Sequence, residues 1–511
     1  MSQRLTGPST GDVIAGLSVA MVAIPQSLAY AELAGLPAQL GLYASALPSL
    51  LAAFFVSSRY LQTGPVALTS LLTLGALSGL AATGSDDYIS LAALLALLVG
   101  GMRLVFGLVR LGSLAYLLSE PVLTGFTTGA AILIVSSQLP RVFDVESTGG
   151  NVLANAARAV VSLNDWDPAA LAFALGAAVV IVGGRRLHRL FPGVLVAVIG
   201  GTIISTITGY SGSKVGELEG GFVSLGLDLP WSSAADLIVP ALAIALVGFA
   251  EPSSIARTFA AEERQPWDAN REMVSQGVAN LAAAVSGAFP VGGSFSRSSL
   301  NRLAGATSAW SGAITGGFVL LALPLTPLLA ELPSAILGAI VIVAVVKLVK
   351  ITELVELGYQ SVPQAAVGIG TLAMTLAFSP RVERGVLVGV GLALAVHLYR
   401  ELNITARSEL EGATLTVAPQ GVLWFASVSQ IDRVIRAEIA AHPDVTTVVL
   451  DLVGVGRLDY TGAAAMRRIV NELLTAGTSV DIINVPPGAA KAAEVHLQTG
   501  EPSLDANPQR P

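Results

Sequence analysis

From Gly11 to Leu398 the chain is a succession of apolar runs, most of them close to the ~20 residues a helix needs to cross ~30 Å of hydrocarbon. Within lipid each backbone N–H and C=O must be satisfied inside the segment, so continuous runs of this kind fold as spanning helices. A soluble reading fails on surface chemistry. Only 12% of the 511 residues are charged and 53% are hydrophobic, against about 25% charged in an ordinary soluble domain. With no cysteine there can be no disulfide, thiolate metal site or cysteine nucleophile. The histidines (His188, His397, His442 and His496) include no two at metal-ligand spacing, so neither a metal nor a bound cofactor is expected. A net charge of −7 argues against nucleic acid as a partner. The residues before Gly11 lack a cleavable signal pattern, so the first span itself is expected to direct insertion.

On this scale the chain offers about fourteen candidate spans, seven per half. The first set lies near Gly11–Tyr30, Ala38–Val56, Pro65–Ala81, Tyr88–Val109, Ser113–Val135, Pro168–Gly184 and Phe191–Thr208. The second lies near Ala234–Ala250, Asn270–Ala288, Ser294–Gly305, Ser308–Leu329, Pro333–Lys347, Gln364–Phe378 and Gly385–Leu398. With the N-terminus placed in the cytoplasm, Arg4, Arg59, Arg110, Arg185, Arg186, Arg189, Arg257, Arg264, Arg271, Lys347, Lys350 and Arg400 fall on the cytoplasmic side. Arg141, Arg158, Lys214, Arg381 and Arg384 are left opposite them, so the positive-inside rule supports that orientation. An even number of spans returns the C-terminal region to the cytoplasm. After Arg400 the composition becomes mixed, with strand-like runs at Gly421–Phe425, Thr447–Leu452 and Ser479–Val485 alternating with helix-like stretches at Ser429–Ala441 and Thr461–Ala476. The expected organisation is a transmembrane domain at 1–400, with repeats at about 11–208 and 234–400, a small α/β domain at 405–500 and a disordered tail at 501–511.

An odd number of spans per half reverses orientation, which makes the two halves inverted repeats. Their punctuation matches. The first and eighth segments each carry a proline beside polar residues, at Ile24-Pro25-Gln26-Ser27 and Glu251-Pro252-Ser253-Ser254. The third and tenth are short and follow Thr63-Gly64-Pro65 and Pro290-Val291-Gly292-Gly293. Interrupted segments at corresponding positions point to a transporter's binding site. Two half-helices starting at mid-membrane aim free N–H groups and positive dipole ends inward, a geometry that favours an anion.

Glu251 lies within or just beyond the middle of the eighth segment, where a carboxylate costs ~2.5–3.5 kcal/mol and usually faces a cavity. It is the candidate proton-coupling residue; the alternative is a structural partner for Arg297. Arg297, in the first turn of the short tenth segment, makes an electropositive spot with the Ser294 and Ser296 hydroxyls. Glu32, Glu120, Arg103 and Lys347 lie at or near span ends and are explained by snorkelling. No nucleotide-binding loop is present, which argues against an ATP-driven pump, and no nucleophile–base pair supports an enzyme.

The residues then resemble the sulfate permease (SulP) family of anion transporters, which includes prestin and pendrin in animals. Its opening signature is similar to Ile24-Pro25-Gln26-Ser27-Leu28-Ala29-Tyr30-Ala31 with Ala34-Gly35-Leu36-Pro37 and Gly41-Leu42-Tyr43. Further motifs follow in order: Glu251 to Ala260, Asn270-Arg271-Glu272-Met273 with Gln276 to Asn280, and Phe289-Pro290-Val291 with Ser294 to Ser298. Val449-Leu450-Asp451-Leu452 and Leu458-Asp459-Tyr460-Thr461-Gly462 resemble a STAS domain, in which Thr461 matches a phosphorylatable position. Tyr460 departs from that pattern, so Thr461 is read as a cap of the helix that follows.

The resemblance implies a core domain (segments one to four and eight to eleven) that moves against a gate formed by the rest. It places the anion near Gln26 and Tyr30, between Pro65, Val66 and Ala67 of the third segment and Ser294, Phe295, Ser296 and Arg297 of the tenth. It further implies a homodimer in a bacterial inner membrane, with a cytoplasmic partner for the STAS domain. The reading favoured here is proton-coupled symport of a dicarboxylate such as fumarate. The alternatives are a sulfate or bicarbonate symporter, a passive exchanger or channel, and, remotely, a membrane-anchored regulator. Sodium coupling is disfavoured, because sodium-coupled bicarbonate relatives tend to carry Asp in the eighth segment where Glu251 stands.

Overall fold

The computed structural model describes residues 7–113, 119–147, 151–218, 221–223, 225–487 and 490. The tail at 501–511 lies outside the described residues. The chain divides into two compact units, with the boundary between Ala393 and Leu394.

The first half of the membrane unit runs α1 (Thr10–Leu33), α2 (Gln39–Phe55), β1 (Thr63–Gly64), α3 (Ala67–Leu77), α4 (Asp86–Leu108), α5 (Glu120–Phe143), α6 (Val152–Val161), α7 (Pro168–Leu187) and α8 (Gly193–Thr208). The second half repeats that order: α9 (Ala234–Glu262), α10 (Ala269–Val285), β2 (Gly292–Gly293), α11 (Phe295–Leu303), α12 (Trp310–Ala322), α13 (Ser334–Val345), α14 (Ile351–Gln360), α15 (Val362–Ala377) and α16 (Val382–Leu402). Among the described residues eight stretches are long and apolar enough to cross a membrane unaided. Shorter apolar helices, α2, α3, α8 and α15 among them, complete the set.

Several details differ from expectation. The short amphipathic helices α6 and α14 were not expected, yet they occupy equivalent places in the two halves. Each has 10 residues, about half a span, and so escapes a search for full-length apolar runs. The fifth span begins at Glu120 rather than Ser113, with Pro121 in its first turn, where a missing N–H costs nothing. The proline positions of the first and eighth segments do not break their helices. Helix α1 runs through Pro25 and α9 through Pro252, so Glu251 lies in a helix interior. Only the third and tenth segments are half-length, with 11 residues in α3 and 9 in α11.

Strands β1 and β2 precede these half-helices and pair antiparallel, Thr63 with Gly293 and Gly64 with Gly292. Equivalent elements running in opposite directions are what inverted repeats require. Glycine is needed here for two reasons. Gly64 has φ +149, and a Cβ on it would lie 3.2 Å from Arg297 Nη2. A Cβ on Gly293 would come within 2.8 Å of Leu61 and Pro252. Close approach also sets α1 on α2, because a Cβ at Gly41 would sit 1.8 Å from the Ser27 carbonyl oxygen. Gly41→Ala must therefore push the two helices apart, at a cost of about 1–3 kcal/mol. The expected result is a lower melting temperature of the detergent-solubilised protein by light-scattering or fluorescence scan.

The second unit contains β3 (Thr405–Glu411), β4 (Thr414–Leu423), α17 (Val428–Ala441), β5 (Thr447–Asp451), β6 (Val455–Leu458), α18 (Tyr460–Thr475) and β7 (Ser479–Ile483). The sheet order is β3-β4-β5-β7, with β3 antiparallel and the others parallel, and β6 pairs with β4. Leu415, Val417, Val448 and Leu450 pack on Ile431 and Ile435 of α17 and on Met466 and Val470 of α18. Strand β3 was not anticipated because it is a solvent-facing edge whose TARSELE sequence has no apolar alternation.

Candidate functional site

The site grows from the start of α11. Ser294 is its N-cap, the hydroxyl accepting the Arg297 N–H at 3.4 Å. That cap holds Arg297 in the first turn, where its side chain folds back over Gly64. The residue is 1% exposed. Its Nη2 donates to the Pro65 carbonyl at 2.8 Å, while Nε and Nη1 have no hydrogen-bond partner. A buried guanidinium with unspent donors is costly unless an acceptor meets it. Helix α3 begins opposite, and Val66 at its N-cap makes no side-chain cap hydrogen bond. Two positive helix ends and an undersatisfied guanidinium thus share one place.

Glu251 enters from α9. Its carboxylate faces the Phe295 N–H at the head of α11 and lies within electrostatic range of Arg297. The two form no direct ion pair among the described residues. Glu251 and Arg297 thus act on each other through space rather than through a direct contact. Tyr30, 6% exposed on α1, interacts with both charges. Gln26, one turn earlier, is 2% exposed, and its Oε1 has no partner. Pro65, Val66 and Ala67 are buried, with the Pro65 carbonyl committed to Arg297 and that of Val66 to Ser70 and Thr69. Phe295 and Ser296 are exposed, so Phe295 offers the site its backbone N–H rather than a buried ring.

The crossing of β1 and β2 is held by polar side chains that the sequence reading gave no structural role. Gln276 Nε2 donates to Thr63 Oγ1 at 2.8 Å, and Asn280 both donates to the Val291 carbonyl and accepts its N–H. Their spacing of one turn in an otherwise alanine-rich helix was the available signal. Of the residues taken as interfacial, Glu32 is half-buried next to the end of α1, whereas Arg103 proves fully buried. Glu32 pairs with Arg141 at 3.0 Å, tying α1 to α5. Arg103 is 0% exposed and ends entirely on backbone carbonyls, because the helix that carries it packs face-on against α10 and α9 rather than reaching an interface.

In the second unit, Thr461 does not cap α18. The N-cap is Asp459, whose Oδ1 accepts both the Gly462 N–H at 2.6 Å and the Thr461 hydroxyl at 2.9 Å. Asp459→Ala should cost about 1 kcal/mol, read as faster amide exchange in the first turn of α18 in the full chain.

Half-helices whose N-termini meet inside a multi-pass helical repeat define a membrane transporter, and two positive helix ends beside a guanidinium suit an anion. The profile of the Sulfate permease family matches residues 10–363, and that of the STAS domain matches residues 405–496. The chain belongs to the sulfate permease family. Sulfate transporter 4.1, chloroplastic, of Arabidopsis thaliana is 32% identical over 93% of this chain and 75% of its own length. A probable sulfate transporter of Mycobacterium tuberculosis is 35% identical over 76% of this chain and 70% of that one. The murine Solute Carrier 26 family member A9 anion transporter, solved in the inward-facing state, superposes with TM-score 0.87 at 23% identity, over 96% of this chain and 88% of its own. The transmembrane domain of a cyanobacterial bicarbonate transporter, BicA, gives 0.64 at 23%, over 75% and 97%.

Proposed function

We propose that this chain carries a small oxyanion, sulfate first and bicarbonate second, across the membrane in symport with a proton by alternating access. The observation that carries the reading is the Arg297 guanidinium, buried between two half-helix N-termini with Nε and Nη1 unspent. Nε–H and Nη1 point to different sides of the planar group, and each is a charged donor that an oxygen of an oxyanion can meet. The sequence alone favoured a dicarboxylate. The relatives give that choice no support, since those named are sulfate transporters and the solved neighbour carries bicarbonate. Sulfate therefore takes its place.

In this reading Gln26 and Tyr30 close the site from α1, and Pro65, Val66, Ala67, Ser294, Phe295 and Ser296 line it. Glu251 couples the proton. Its carboxylate faces the α11 N–H beside Arg297, so gain or loss of one proton changes the charge that an entering anion meets. The core would move against the gate around this site. The protein would sit in a bacterial plasma membrane with both termini cytoplasmic, as a homodimer whose STAS domain has a cytoplasmic partner. Thr461 is exposed beside the Asp459 carboxylate; a phosphate there would repel that cap and loosen the start of α18.

The test is uptake of radiolabelled sulfate, bicarbonate and fumarate into proteoliposomes, each with an inward proton gradient, a sodium gradient or neither. Sulfate accumulation under the proton gradient alone is expected. Fumarate accumulation would restore the dicarboxylate, and equal flux without any gradient would make the protein an exchanger or channel.

A further inference from the structure

Arg103 on α4 is a second buried cation that the site as described does not use. Its Nε donates to the Ala245 carbonyl at 3.1 Å, Nη2 to that of Ile244 at 2.9 Å, and Nη1 to that of Val291 at 3.0 Å. No carboxylate pairs with it among the described residues. Carbonyl dipoles soften the cost of burying a guanidinium but leave its charge in place.

That charge stands close to the half-helix ends. Val291 immediately precedes β2, and Gly248 lies one turn before Glu251 on α9. A Cβ on Gly248 would fall 2.6 Å from Arg103 Nη2 and 3.2 Å from Thr69 in the first turn of α3. A Cβ on Gly292 would meet Val66 at 3.3 Å and the Gly248 carbonyl oxygen at 3.5 Å. Arg103, the N-terminus of α3, β2 and the middle of α9 therefore converge. In a medium of low dielectric, a fixed charge at this range acts on whatever occupies the site.

We infer that Arg103 is a specificity-determining residue: its charge adds to that of Arg297 and biases the site toward divalent over monovalent anions. Its fork to Ile244, Ala245 and Val291 also positions α9 against the crossing. The inference rests on the anion site proposed above. Coulomb's law supplies the signature, because removing one positive charge costs a dianion twice the interaction energy it costs a monoanion.

The experiment compares the wild type with Arg103→Gln, which keeps a donor but loses the charge, and Arg103→Lys, which keeps the charge but loses the fork. Affinities for sulfate, bicarbonate and nitrate are read from anion-dependent melting shifts of the purified full-length protein, and sulfate KM from proteoliposome uptake. In Arg103→Gln, sulfate affinity is expected to fall roughly tenfold and that for the monovalent anions roughly threefold, with Arg103→Lys close to the wild type in selectivity. A parallel loss for all three anions, or equal losses in both variants, would reduce Arg103 to a packing element and overturn the inference. A wild type stabilised by sulfate yet inert in uptake would sink the transport reading while leaving this selectivity comparison intact.

Discussion

Arg297→Ala is expected to lower sulfate uptake into proteoliposomes by about 30-fold to about 4,000-fold, because truncating one partner of a buried charged contact costs about 2–5 kcal/mol and each 1.4 kcal/mol is tenfold. The guanidinium does two jobs that the variants separate. Through Nη2 it ties the Pro65 carbonyl to α11 at 2.8 Å, and through Nε and Nη1 it presents unpartnered donors. Arg297→Lys keeps a cation but replaces the planar fork with a point charge on a flexible stem. It should recover part of the binding, with KM raised roughly tenfold, since a planar set of directed donors rather than charge is what it loses. Loss of the Pro65 tie alone would lower the melting temperature without changing the anion-induced shift. If Arg297→Ala took up sulfate with unchanged KM, the anion would bind elsewhere and the reading of the half-helix crossing would be wrong.

Much of this site could be read from the sequence, because the features that build it are local. A glycine pair ahead of a short apolar run announces a backbone that starts mid-membrane, and Gly64, Gly293 and Arg297 lie where that logic puts them. What was misread depends on tertiary packing. Proline at 25 and 252 suggested breaks, yet a proline removes one N–H and one turn of bonding, which a well-packed span tolerates. Arg103 stands near the end of its apolar run, and depth along a run is not depth in a bilayer when helices tilt and pack. Only the folded protein shows that Gly248 leaves space for its guanidinium. At Thr461 the local rule for caps was applied two residues too late; Asp459 satisfies the same orphan N–H groups. The choice of anion was beyond the sequence reading altogether, because a guanidinium edge fits a carboxylate and a sulfate alike.

Glu251→Gln should abolish proton-driven accumulation while leaving facilitated flux of the anion. Glutamine keeps the volume and a side-chain oxygen facing the Phe295 N–H, so the packing of α9 at the head of α11 is preserved. It cannot exchange a proton, so the coupled step is lost. In the wild type an inward gradient of one pH unit supplies about 1.4 kcal/mol per proton, which sustains about tenfold accumulation at zero membrane potential. The variant should equilibrate at a ratio of about one, and its initial rate should no longer rise as external pH falls. The direction is fixed by the reaction: symport uses the protonated acid at the outer face, so acid outside speeds the wild type and alkali slows it. A counterflow assay, in which labelled sulfate exchanges against unlabelled sulfate inside the vesicle, separates lost coupling from lost folding. Counterflow retained with accumulation lost assigns the proton to Glu251. Accumulation that persists in Glu251→Gln moves the coupling to another buried acid, and Glu272, 0% exposed and bonded to the Ser58 N–H at 2.9 Å, is the next to replace.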